Sequence, residues 1–142
     1  MHLKIPIMKK YLLPAIISGV VLLAFSYLAL VFTVKFMPAL AEEYYNPVFS
    51  LNWDKAPMFF LHPFILSLAL AWFWERFKDL FKGSNWFRGL ELGLVYGIVA
   101  TLPSTWMTFS AMSVSLTMVL TWFFYGVVQA SIAGWILAKM NP

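Results

Sequence analysis

The sequence predicts an all-α fold: an integral membrane four-helix bundle made of two antiparallel transmembrane hairpins. Three observations carry that expectation. Of the 142 residues, 62% are hydrophobic and 11% charged, against about 45–50% and about 25% in soluble domains. A soluble fold of this size leaves too much surface exposed to hide so much apolar area. The apolar residues also fall into four stretches, each near the roughly 20 residues that cross a hydrocarbon core of about 30 Å. None alternates with the period of two that a membrane barrel requires. A segment in lipid must satisfy its own backbone hydrogen bonds, so each stretch reads as a helix.

The first span, residues 11–34, carries no charged side chain, and its Pro14 falls in a first turn, where proline is tolerated. The basic segment before it and the small-x-small Ala39-Leu40-Ala41 after it imitate a secretion signal. A signal's apolar region is only about 7–15 residues long, so this longer one reads as a retained span. The second span, residues 57–74, is interrupted by His62 and Ser67. It is expected to continue as an amphipathic turn to Lys82 and stop at Gly83. In that turn Phe73, Phe77, Leu80 and Phe81 recur at helical spacing among Arg76, Lys78, Asp79 and Lys82, which suits anchoring at headgroups. The third span, residues 89–108, has Ser84 or Asn85 as its cap and Pro103 towards its end. The fourth, residues 113–138, is free of charge and long enough to span with tilt.

Basic residues orient the chain. Lys4, Lys9, Lys10, Arg76, Lys78, Lys82, Arg88 and Lys139 fall on one side, and only Lys35 and Lys55 on the other. With four spans, both termini are expected in the cytoplasm and the chain in the cell (inner) membrane. Tyr11, Trp72, Trp74, Trp86 and Trp135 near one boundary, and Trp53 and Trp106 near the other, form interfacial belts. The loop over residues 35–56 interleaves Phe36, Tyr44, Tyr45, Phe49 and Trp53 with acids, and reads as lying flat on the membrane surface, with folding over the bundle mouth as the alternative. Its Asn46-Pro47 marks a turn, and Asp54 followed by Pro57 suits a helix start.

Small residues mark the helix contacts. Gly89, Gly93 and Gly97 form one ridge, answered by Gly126, Ala130 and Gly134 on the fourth span. Such ridges let backbones approach where lipid supplies no hydrophobic push, and a short connection makes these two spans neighbours. A dimer face is the other use of such a ridge. Ser67-x-x-x-Ala71-Trp72-x-x-x-Arg76 also echoes Ala130-x-x-x-Gly134-Trp135-x-x-x-Lys139, a weak hint of two related hairpins.

Polar groups at membrane depth are the site candidates. His62 precedes Pro63, which frees a carbonyl and can bend the helix. Ser113, Thr117, Thr121, Tyr125 and Gln129 form a stripe on the fourth span, and Thr101 and Ser104 flank Pro103 on the third. An outer cavity lined by His62, Thr101, Ser104, Thr117, Thr121 and Tyr125 is therefore the candidate ligand site. Glu91, three residues after Arg88 and one turn inside its span, reads as an interfacial acid paired to that arginine, with a proton- or cation-coupled role as the alternative.

No cysteine is present, and the two histidines lie far apart in sequence, so neither a zinc nor a haem ligand set is legible. No nucleophile elbow or phosphate-binding loop occurs. The expectation is no catalytic residue, no metal, no cofactor and no nucleic acid. The expected partners are the lipid bilayer and either copies of the chain or a larger membrane complex. The resulting reading is a non-enzymatic membrane component or accessory subunit, with a small-solute transporter or channel as the alternative.

Overall fold

The computed structural model describes residues 4–49 and 53–142, and among these every regular element is helical. His2 and Asn52 lie outside the described residues, as do the side chains of Lys4, Lys9 and Trp53. The helices are α1 (Lys4–Phe36), α2 (Pro38–Glu43), α3 (Ala56–Phe77), α4 (Asn85–Tyr96), α5 (Leu102–Ala111) and α6 (Leu116–Met140). A π-helical segment, Gly97–Thr101, joins α4 to α5 into one rod. Four stretches are long and apolar enough to cross a membrane: Lys10–Phe36, Ala56–Leu80, Asn85–Ala111 and Leu116–Met140. The fold is an all-α four-helix bundle.

Proline explains the irregular places. Because α1 starts at Lys4, Pro14 lies in its interior and leaves the carbonyl of Lys10 without its helical donor. Pro63 does the same to Phe59 in α3, and both rings are buried. Pro103 can give no hydrogen bond to Val99, and its ring crowds that carbonyl; the chain widens by a residue over the preceding turn. Two hydroxyls then take up carbonyls beside the bulge. Ser104 Oγ donates to Ala100 (2.7 Å) and Thr105 Oγ1 to Thr101 (2.9 Å).

The spatial order is α3, α1, α6, α4, with each neighbour antiparallel to the next and α3 also touching α6. The α4–α6 contact is set by absent side chains. A Cβ on Gly89 would sit 2.6 Å from the backbone N of Trp135, and one on Gly134 would sit 2.9 Å from the Cα of Gly89. At Gly93 it would overlap the Ser131 hydroxyl. Ala130 is fully buried on the same face, Gly97 abuts Val127, and Gly126 abuts Thr101. In the other hairpin, Gly19 admits Phe64 and Ser67 of α3. The shared core of Leu66, Leu70, Trp74, Leu92, Ala133 and Leu137 lies in the half of the bundle that carries the 78–84 turn. That half is here called the basic end.

Three details differ from the sequence expectation. The α-helix of the second span stops at Phe77, and a single 3-10 turn, Lys78–Leu80, replaces the helical run to Lys82. The reason is Phe81, whose extended backbone carries the ring inward to stack on Trp74 (5.5 Å). Gly83, at φ +96°, then reverses the chain. At the start of α3 the cap position falls to Lys55, the last residue of a 3-10 turn that contains Asp54.

The third difference is the 37–49 loop, which takes the alternative arrangement and folds onto α6 instead of lying flat. Trp122 Nε1 donates to the Tyr44 hydroxyl (2.6 Å), and Phe49 meets the Trp122 ring edge-on at 6.1 Å. Glu43 Oε2 accepts the backbone N–H of Ser115 (3.3 Å), just where α6 begins and helix donors lack partners. Ser115 Oγ caps the same helix by accepting from Met118 N–H (3.1 Å).

Candidate functional site

Two grooves and two polar clusters hold whatever chemistry the bundle offers. Between α1 and α6, away from the basic end, lies a groove of about 430 Å³. Thr117, Thr121 and Tyr125 line it together with Thr33 and apolar side chains such as Phe25, Phe32 and Phe124. Half of the sequence-derived candidates therefore share one groove. The others are elsewhere. His62 is exposed on α3 and lines neither groove, and Ser104 is exposed and bonded to its own helix. Thr101 is pressed against Gly126, with its hydroxyl buried and unpartnered.

The hydroxyls of the α1–α6 groove are largely occupied. Thr121 Oγ1 donates back to the Thr117 carbonyl (2.8 Å), and Thr33 Oγ1 to that of Ala29 (2.9 Å). Tyr125 belongs to the first polar cluster, at mid-bundle. Its hydroxyl donates to Ser26 Oγ (2.7 Å), and Ser26 donates in turn to the Leu22 carbonyl (2.8 Å). Gln129 Nε2 donates to the Tyr125 hydroxyl (2.9 Å) and reaches Ser26 Oγ (3.3 Å). Phe25 stacks on the Tyr125 ring at 5.6 Å. Ser26 and Gln129 are buried, as polar groups away from water are when paired. This cluster ties α1 to α6, and chemically it is a hydrogen-bonded joint.

The second cluster closes the basic end. Trp74, fully buried, donates its indole N–H to the Asn141 carbonyl (2.8 Å). The Asn141 side chain accepts from Lys78 Nζ (2.8 Å) and donates to Glu75, and Lys78 lies 3.6 Å from that carboxylate. Arg88 places its guanidinium 4.8 Å from the Trp74 ring and donates to the Lys78 carbonyl (3.2 Å), with Nε buried and unpartnered. It therefore turns away from Glu91, which is exposed. Sequence reasoning missed this cluster because its members are 66 and 67 residues apart. The only local signal was the i,i+3 spacing of Glu75 and Lys78.

The second groove, of about 390 Å³, opens where α3 and α4 part. Its walls are Leu66, Ala69, Phe73, Leu92, Tyr96 and Val99 with their neighbours, and they are almost wholly apolar. Arg76, one turn beyond its Trp72 edge, stacks on that indole at 3.9 Å and donates to its carbonyl (3.2 Å). Lys139 and Trp135 repeat the arrangement more loosely, at 5.7 Å. Among the described residues no group of three or more metal-ligating side chains comes together.

These features define a helical bundle with four potential membrane spans, apolar grooves and internal polar joints. Comparison with known proteins finds no match among family models, curated proteins or solved structures.

Proposed function

We propose that the chain is a multi-pass component of the cell membrane, crossing it four times with both termini in the cytoplasm, and that its work is contact rather than catalysis. Its partners on this reading are the bilayer and either further copies of the chain or a larger membrane complex, with no nucleic acid involved. The observation that carries the reading is where the polar groups go. Ser26, Tyr125 and Gln129 satisfy one another inside the bundle, and Thr33, Thr121 and Ser104 return to their own helices. The surfaces left over are apolar, including one complete groove. Carriers of ions or protons turn ionisable groups at membrane depth into the bundle interior, whereas His62 and Glu91 are exposed and, among the described residues, the buried polar ones are Ser18, Ser26, Ser67, Gln129 and Asn141.

The absence of cysteine makes the topology directly testable. Single Glu42→Cys, Lys55→Cys, Lys82→Cys and Lys139→Cys variants are exposed to an impermeant maleimide on intact cells. Labelling at 42 and 55, with 82 and 139 reacting only after lysis, is the expected result; the reverse pattern, or equal labelling, overturns the orientation. A second reading, a small-solute transporter or channel, has one observation in its favour: Thr117, Thr121 and Tyr125 share the α1–α6 groove. Solute flux that falls in Tyr125→Phe and Thr121→Val would move the conclusion to that reading.

A further inference from the structure

We propose that the groove between α3 and α4 binds one anionic glycerophospholipid, with an acyl chain along the groove and the phosphate between Arg76 and Arg88. The inference deepens the membrane reading above and rests on it. In a bilayer, a gap between two helices that barely meet is filled by hydrocarbon, and its volume of about 390 Å³ lies within the range of ligand sites. The wall on the third span runs from Leu92 to Ala100, about 12 Å of helix. Half of a hydrocarbon core is about 15 Å, so a chain anchored at the basic end covers most of its own leaflet.

The selectivity comes from the mouth. Arg76 lies one turn beyond Trp72, and Arg88 one turn before Leu92, so both extend the groove walls towards the same end. Neither guanidinium has a carboxylate partner among the described residues. Glu75 is engaged by Lys78 and Asn141, and Asp79 and Glu91 are exposed. Arg76 is held flat on Trp72, and Arg88 is held on the Trp74 ring and the Lys78 carbonyl, so both are ordered before a ligand arrives. Ordered guanidinium donors suit phosphate oxygens. They favour a headgroup with net negative charge over one that adds an ammonium, and cytoplasmic-side basic pockets between helices are known to be used this way.

The test is native mass spectrometry of the full purified chain titrated with phosphatidylglycerol or phosphatidylcholine of equal chain length. The expected result is selective retention of one phosphatidylglycerol. Arg76→Gln with Arg88→Gln should lower that retention about thirtyfold and leave phosphatidylcholine unchanged. Arg76→Gln alone, which disturbs only a contact with Trp72, should lower it about fivefold and serves if the double variant does not fold. Ala69→Trp, which fills the groove, should lower retention of both lipids. Equal retention of the two lipids by the native chain, or arginine variants that keep the preference, overturns the site. A shift from dimer to monomer in Ala69→Trp overturns it in favour of a second copy as occupant. The maleimide pattern reports separately on the membrane reading: selective lipid loss with a failed topology, or the reverse, tells which of the two claims is wrong.

Discussion

At the basic end, α4 and α6 approach until the backbone of Trp135 touches Gly89, and Trp74 is sealed among Phe81, Arg88 and Asn141. At the far end, α5 buries no side chain, and Leu28, Val31, Phe32, Trp106 and Met107 are all exposed. The change falls at the π-helical segment. Up to Gly97 the third span offers a glycine every four residues to α6; beyond it comes Thr101, and Pro103 has widened the turn. What holds the far end is a smaller set of contacts: the buried side chains of Leu40, Met118 and Val119, the Tyr44–Trp122 and Glu43–Ser115 bonds, and next to them the mid-bundle Ser26–Tyr125–Gln129 joint. One end is held by backbone-to-backbone packing and the other by fewer buried side chains, aromatic pairs and a few hydrogen bonds, so their responses to mutation should differ.

Trp74→Ala should have the largest effect, about 3–5 kcal/mol, because it opens a cavity and strands the Asn141 carbonyl. Thermal unfolding in detergent measures it. Trp122→Ala, the matching change at the far end, should cost about 1–2 kcal/mol, since it loses ring pairs and one hydrogen bond. Equal losses would abolish the distinction between the two ends. Next, Gly93→Leu should cost about 1–3 kcal/mol by forcing α4 off Ser131 and Val127, read as a lower melting temperature. Tyr125→Phe should cost about 0.6–1.7 kcal/mol, the range for hydrogen bonds between membrane helices. A double cycle with Ser26→Ala isolates that coupling. Thr121→Val should be smallest, within about 0.5 kcal/mol, because its hydroxyl bonds only its own helix.

The regular parts of the fold were legible because their causes are local. Apolar runs of about 20 residues, glycines four apart and a proline in the third span are all visible without tertiary information. Among the candidate site residues, Thr117, Thr121 and Tyr125 came together because one helix face carries all three. His62 did not join them, since a residue on another helix can point anywhere until the rotation of that helix is known. Arg88 and Glu91 show the same limit. Their i,i+3 spacing suggested a pair, but the Trp74 ring and the Lys78 carbonyl drew the arginine the other way.

By itself the sequence determined that the chain is helical, where its four long helices run and which faces are smooth enough for backbone contact. Those properties follow from side-chain size, hydropathy and the 3.6-residue period, which neighbours in the chain define. Tertiary structure alone decided that α3 and α4 part to leave a groove, that Asn141 closes on Trp74, and that the 37–49 loop docks on Trp122. Each depends on groups scores of residues apart meeting at one distance and angle, and such a meeting is a property of the assembled bundle, not of any segment within it.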